Sequence, residues 1–118
     1  MDIIFEERDE HLLIAPVGEI DHHTSVTIRE NIERRFARSG AVNMIFDFSR
    51  VEFMDSSGIG ILIGRYREIS KQGGKVYAIN LSGEIGRIFG VSGLTKIIPC
   101  YDSLDSLADA LSQGGEAV

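Results

Sequence analysis

This chain has a single cysteine, two prolines and no tryptophan. Cys100 has no second thiol, so no intrachain disulfide can form, and the composition fits a reducing compartment. Basic residues are outnumbered, 12 against 18 acidic, for a net charge of -6. That balance argues against nucleic acid, whose phosphates demand clustered Lys and Arg. An acidic surface suits a protein that meets protein partners. No apolar run approaches the ~20 residues of a membrane span. The stretch from Met1 to Asp9 alternates and carries charge, unlike a signal peptide. A soluble, cytoplasmic protein with no membrane segment is expected. With 118 residues the chain fits one domain. No heptad pattern or internal repeat is present, so the free protein is expected to be monomeric.

What is present is a regular alternation of strand and helix patterns. Ile3 to Glu7 and Leu12 to Val17 read as strands joined by the polar Arg8-Asp9-Glu10, a β-hairpin. Pro16 predicts an edge or an irregular segment in the second. Gly18 to His23 leads into a helix from Thr24 to Arg38, with Ile28, Ile32 and Phe36 as its buried stripe and Ser39-Gly40 as its end. Val42 to Phe48 is apolar on both faces except at Asp47, the pattern of a central strand. A second helix comes after Asp55-Ser56-Ser57-Gly58, with Leu62, Ile63, Tyr66 and Ile69 inward and Gly73-Gly74 as its stop. Lys75 to Leu81 is the next strand. Ser82 is predicted to cap a short helix containing Ile85, Ile88 and Phe89, broken by Gly90 to Gly93. Lys96 to Tyr101 reads as the last strand. Asp102 or Ser103 then caps a helix with Leu104, Leu107, Ala108 and Leu111 inward, and Gly114 to Val118 is expected to fray. The order predicts an α/β sandwich with a mixed, mostly parallel sheet of about five strands and about four helices.

The segment Met54-Asp55-Ser56-Ser57-Gly58-Ile59-Gly60 lies where the sequence passes from strand to helix. The first N–H groups of a helix lack intrahelical partners and carry the positive end of the dipole. Such an end accepts a carboxylate, a hydroxyl cap or a phosphate. Ser57 can be an ordinary cap, but Asp55 and Ser56 are each able to serve instead. Gly58 and Gly60 are poor helix formers in a first turn; a partner approaching the backbone closely would explain them. Loops at the carboxyl ends of parallel strands are also where such sheets carry function. A phosphorylation switch is the reading these features favour.

Other constellations are weaker. Asp21, His22 and His23 resemble metal ligands, yet adjacent histidines point apart in most backbones and no further cluster exists beyond His11. Asp21 as a turn or cap residue is the better reading, and no metal or cofactor is expected. Ser57, His22 and Asp55 can be drawn as a triad, but the Gly-x-Ser-x-Gly elbow is missing. Gly58-x-Gly60-x-x-x-Gly64 is not a dinucleotide fingerprint; Gly64 is expected to allow close helix packing. Arg65, Arg67, Lys71 and Lys75 read as a solvated face balanced by Glu68. Met44, Met54 and Phe53 read as core or near-core, and Cys100 as an inert buried thiol.

The residues together resemble the anti-sigma factor antagonists of the STAS-domain family. The resemblance is carried by Gly18-Glu19-Ile20-Asp21-His22-His23-Thr24, Phe53 to Gly60, Gly64-Arg65-Tyr66, Gly73-Gly74, Arg87-Ile88-Phe89 and Ser92 to Ile98. It spans nearly the whole chain and implies a single STAS domain over 1–118. It implies a regulator without catalytic residues of its own. The unphosphorylated form binds an anti-sigma factor, which is also a serine kinase, and frees its sigma factor. Phosphorylation at Ser57 ends that interaction, and a serine phosphatase restores it. The resemblance places the partner-binding surface on Asp21, His22, His23 and Thr24 with Asp55, Ser56, Ser57, Gly58 and Ile59. General-stress antagonists tend to carry Thr where this chain has Ser57, so the serine favours the sporulation branch. The alternatives are a general-stress antagonist, another STAS interaction module such as that of a transporter or stressosome, and, from a different class, a small nucleotide-binding enzyme or hydrolase using Ser57. The last would need a base, an oxyanion hole and a cavity, and turnover of ATP by the pure protein would identify it.

Overall fold

The chain opens as a hairpin, with β1 (Asp2–Arg8) and β2 (His11–Ile20) paired antiparallel from Asp2↔Val17 to Arg8↔His11. Asp9 makes the turn at φ 53°, a left-handed conformation that Asp tolerates better than most residues. The computed structural model describes residues 2–113, so the fraying expected at 114–118 lies outside the described residues. The later elements are α1 (Ser25–Arg38), β3 (Asn43–Asp47), β4 (Val51–Met54), α2 (Ser56–Lys71), β5 (Val76–Ile79), α3 (Gly83–Ser92), β6 (Cys100–Tyr101) and α4 (Leu104–Ser112). Among the described residues the sheet has 6 strands in the order β1-β2-β3-β5-β6, with β4 on β2. Only the hairpin pairing is antiparallel; β2–β3, β2–β4, β3–β5 and β5–β6 are parallel. The α/β sandwich with a mostly parallel sheet is the class the alternation predicts.

The period-2 geometry of β3 divides the core. Met44 and Phe46 join Ile28, Ile32, Leu62, Ile69 and Phe89 in the larger cluster, while Ile45 joins Tyr77, Ile79 and Leu107 in the smaller one. Helices α1, α2 and α3 therefore cover one face of the sheet and α4 the other. Full burial of each such side chain is worth about 1.5–3 kcal/mol. Asp47, the polar exception in β3, ties down the loops that leave β3 and β5: its carboxylate accepts from Ser49 N and from Asn80 Nδ2, both at 2.9 Å.

The structure departs from the sequence reading at several places. The sequence pattern does not predict β4, and α2 comes after it rather than directly after β3. Only Met54 of its four residues is buried, and Phe53, read as near-core, is 48 % exposed, so the segment carries little strand pattern. The last strand is reduced to Cys100–Tyr101: Gly93, at φ 83°, ends α3, and Leu94–Lys96 turns as a 3₁₀ helix that buries Leu94. Ile98 is also buried, without belonging to a strand. Of the two readings of Pro16, an edge or an irregular segment, the structure has the second. Pro16 sits where β2 changes partner, between His11–Ile14 on β3 and Gly18–Ile20 on β4, and the register shifts there between Gly18 and Glu19. Ser103, not Asp102, caps α4, through a reciprocal pair with Ser106, and Ala108 is exposed rather than inward. A Cβ at Gly64 would meet nothing within 4 Å, so close packing does not explain that glycine.

Candidate functional site

Two loops leave the sheet side by side. The parallel pair β2–β4 ends at Ile20↔Met54, and Asp55 N donates to Ile20 O at 3.1 Å, prolonging the pairing by one step. The turn at 21–24 into α1 and the turn at 55 into α2 are therefore neighbours at the carboxyl ends of the strands.

At the second turn Asp55 is the N-cap, with extended backbone, and its carboxylate accepts from Ser57 N at 2.8 Å. This removes the capping role from Ser57, which lies in the first turn of α2. The Ser57 side chain is half-buried and makes no hydrogen bond to another described residue. Ser56, beside it, is exposed and likewise free of such bonds. No acidic residue occupies the first turn of α2 itself, so the Asp55 carboxylate at the N-cap is the acidic group that its positive end meets. The chemistry available is that of a hydroxyl held on a rigid helix start, fit to accept a transferred group.

The two first-turn glycines do different things. Gly58 is buried, and a Cβ on it would overlap Met54 Cγ and Sδ and touch Ile20 Cγ2 at 3.1 Å. Its smallness serves the packing of α2 on β2 and β4, not the approach of a partner. Gly60 is exposed and a Cβ there meets nothing within 4 Å, so the close-approach reading survives only for Gly60. Ile59 is partly buried against the core.

At the first turn Asp21 is engaged through one carboxylate oxygen and its backbone N–H. Its Oδ1 accepts from His23 N at 2.9 Å and Thr24 N at 3.0 Å, while Thr24 Oγ1 accepts from Asp21 N and donates to Glu19 O, both at 3.0 Å. The Thr24 N–H holds the Asp21 carboxyl below the usual carboxylate range; partial burial opposes this, and His23 N and the Thr24 hydroxyl reinforce it. Asp21 is thus the turn residue expected. His22 and His23 are exposed, and their rings meet edge-on at 5.7 Å rather than pointing apart. Among the described residues no group of three or more His, Cys, Asp or Glu is placed to hold a metal. No hydrogen bond joins either histidine ring to Ser57 or Asp55, and Asp55 is committed to its cap, so the triad is not assembled.

Between the N-terminal halves of α1 and α2 runs a shallow groove of about 260 Å³, lined by Ser25, Val26, Arg29, Ser57, Gly60 and Ile61. Farther along the same helix pair, Arg65 reaches Glu33 at 2.7 Å with only 11 % of its side chain exposed.

A sequence profile of the STAS domain matches residues 2–107. The chain belongs to the STAS-domain family. Among its STAS relatives are the anti-sigma F factor antagonist of Paenibacillus polymyxa, 33% identical over 103 residues (87% of this chain, 88% of the relative), and the anti-sigma-B factor antagonist of Bacillus subtilis, 35% identical over 98 residues (83% and 86%). The structure of the anti-sigma factor antagonist SpoIIAA in its unphosphorylated form matches at a TM-score of 0.78 and 30% identity, covering 96% of this chain and 97% of that one. The phosphorylated form of SpoIIAA matches at 0.70, again with 30% identity, covering 93% and 99%.

Within this STAS fold two arginines escape the sequence pattern. That pattern groups Arg65 with a solvated face, yet the residue is nearly buried and bridges α2 to α1; its Nε is buried without a hydrogen-bond partner. A helical wheel gives the residue's side but not the carboxylate waiting on α1. Lys71 does pair with Glu68, at 3.6 Å, as the pattern implies. Arg29, in the groove beside Ser57, belongs to no motif, so no sequence signal marks it. Cys100 is half-buried, and burial pushes its thiol pKa up, the condition of an unreactive thiol.

Proposed function

We propose that this chain is a phosphorylation-switched antagonist of an anti-sigma factor. The unphosphorylated form binds an anti-sigma factor that is also a serine kinase and so frees a sigma factor; the kinase then transfers phosphate from ATP to Ser57, and a serine phosphatase reverses it. The chain itself catalyses nothing in this cycle and acts as one STAS domain in the cytoplasm. The observation that carries the reading is the Ser57 hydroxyl, unbonded at the start of α2 because Asp55 does the capping. The relatives support it: they include anti-sigma F and anti-sigma-B factor antagonists, and SpoIIAA has been solved in both phosphoforms. The partner surface is assigned to Asp21–Thr24 and Asp55–Ile59, the neighbouring turns.

The physics favours a local switch. Phosphate adds about −1.5 to −2 charges and three acceptor oxygens. The exposed start of a helix accommodates these, whereas a packed interface must desolvate them next to Asp55. The choice between sigma factors is a finer matter. Antagonists of both kinds are similarly related, at 33% and 35% identity, and Ser57 in place of threonine tips the proposal to a sporulation sigma factor, with the general-stress type as the alternative. The test is reconstitution with an anti-sigma kinase, its sigma factor and ATP. Release of sigma factor by the unmodified chain, then phosphate on Ser57 and loss of binding, is expected. Failure to bind, or phosphate mainly on Ser56, would refute the proposal.

A further inference from the structure

We propose that Arg29 is the internal receptor for a phosphate on Ser57, a clamp that closes the α1–α2 groove. This deepens the phosphoswitch reading and rests on it for the presence of the phosphate. The two side chains line the same groove, from opposite walls. Arg29 also lacks a strong partner. Its Nη1 lies 3.5 Å from Glu33 Oε2, but that same oxygen is 2.7 Å from Arg65 Nη1. Glu33 is thus shared by two cations, and the nearly buried Arg65, 11 % exposed, has the better claim than Arg29, 43 % exposed. An exposed i,i+4 pair of this kind contributes only about 0.3–0.5 kcal/mol, so little holds Arg29 in place.

The rest of the groove suits an anion. Ser25 stands one turn before Arg29 on α1 and lines the same space, its hydroxyl donating only to His22 O at 3.5 Å. Gly60 puts no side chain into the other wall, between Ser57 and Ile61. Neither helix has an acidic residue in its first turn. Arg29 is the charged residue that lines the groove among the described residues; Glu33 and Arg65 lie farther along the two helices, the Asp21 and Asp55 carboxylates accept from the backbone at the two helix starts, and His22 and His23 are exposed. A phosphate with nearly two charges is a better partner for the planar guanidinium fork than a carboxylate already taken. Clamping leaves the fold intact while it removes both the free hydroxyl and the free cation from the surface between the two turns.

The test is the second ionisation of the phosphate, ordinarily near pH 6, monitored by ³¹P resonance on protein with phosphoserine incorporated site-specifically at position 57. A nearby cation favours the dianion. The ionisation in the otherwise native protein should lie lower than in Arg29→Ala by about half a unit or more, and Arg67→Ala, on an exposed part of α2, should leave it unmoved. Equal titrations with and without Arg29, or an equal effect from Arg67→Ala, would overturn the clamp. Because the phosphoserine is installed without a kinase, refusal of a kinase to modify Ser57 would count against the proposed function alone, and an unshifted titration against the clamp alone.

Discussion

Asp21 and Asp55 occupy matching places, each one residue beyond the paired ends Ile20↔Met54 and each at the entry to a helix. Each carboxylate accepts from the backbone N–H two residues on, His23 N at 2.9 Å and Ser57 N at 2.8 Å. The difference is in the hydroxyls. The Thr24 hydroxyl is bonded to Asp21 and Glu19, whereas the hydroxyls of Ser56 and Ser57 bond to no other described residue. The same local device fixes both turns, but the Thr24 hydroxyl is bonded and the Ser56 and Ser57 hydroxyls are not. A motif of acid and hydroxyl residues is therefore ambiguous until the hydrogen bonds are counted, since one copy ties its hydroxyl into the turn and the other leaves its hydroxyls unbonded.

The contrast can be broken most severely by exchanging hydroxyl losses. Ser57→Ala should abolish phosphate incorporation by an anti-sigma kinase, a drop on the order of 100-fold or more because the acceptor nucleophile is gone, while melting stays nearly unchanged. Thr24→Ala should lower the melting temperature and, as a change in the proposed partner surface, slow incorporation without removing the acceptor. Intact mass and thermal melting read both, and a Thr24→Ala protein that melts normally but takes no phosphate would invert the assignment.

The next largest effect lies in the two glycines. Gly58→Ala forces a methyl into Met54 and should cost about 1–3 kcal/mol in denaturant unfolding. Gly60→Ala has open space and should gain up to about 1 kcal/mol from helix propensity. A destabilised Gly60→Ala would show that the exposed wall of the groove is misjudged.

A smaller effect separates the carboxylate of Asp21 by pH. Its folded pKa lies below the ordinary value of 3.8, so the native state prefers the ionised form. This contribution to stability is complete above the unfolded pKa and disappears as pH falls through the folded one. Asp21→Asn should melt below wild type at neutral pH, with the gap closing under acid conditions. A gap constant down to the acid limit would mean that the charge plays no part. The smallest effect belongs to the exposed histidines. His22→Ala and His23→Ala should each stay within about 0.5 kcal/mol of wild type, and a stoichiometric metal lost with either would show that the Asp-His-His segment had been misread.

Much of the fold is legible because long periodic segments report their own burial. The stripe Ile28, Ile32, Phe36 and the two-faced run around Met44 to Phe46 locate α1 and β3 to within a residue or two. β4 escapes because a four-residue strand paired on β2, with one buried residue, has no periodicity to detect. The residues 96–98 mislead in the opposite way, since they belong to a tight turn anchored by the buried Leu94 and Ile98 rather than to a strand. At the site, the position of Ser57 at a helix start is readable from neighbouring Asp and Gly. The reason for Gly58 is not, because it depends on Met54 and Ile20 arriving from two other strands. Arg29 and Arg65 are invisible for the same reason, as the groove that Arg29 lines and the Glu33 that Arg65 reaches each need a second helix.

The central claim is that a charge added at Ser57 changes affinity without changing the fold. It is tested most directly by measuring the affinity of both phosphoforms for an anti-sigma kinase together with amide exchange across α2. Phosphorylation should weaken binding by on the order of 100-fold or more, with stability within about 1 kcal/mol and α2 protected to the same degree in both forms. Unchanged affinity, or an α2 that loses protection when Ser57 carries phosphate, would contradict the account.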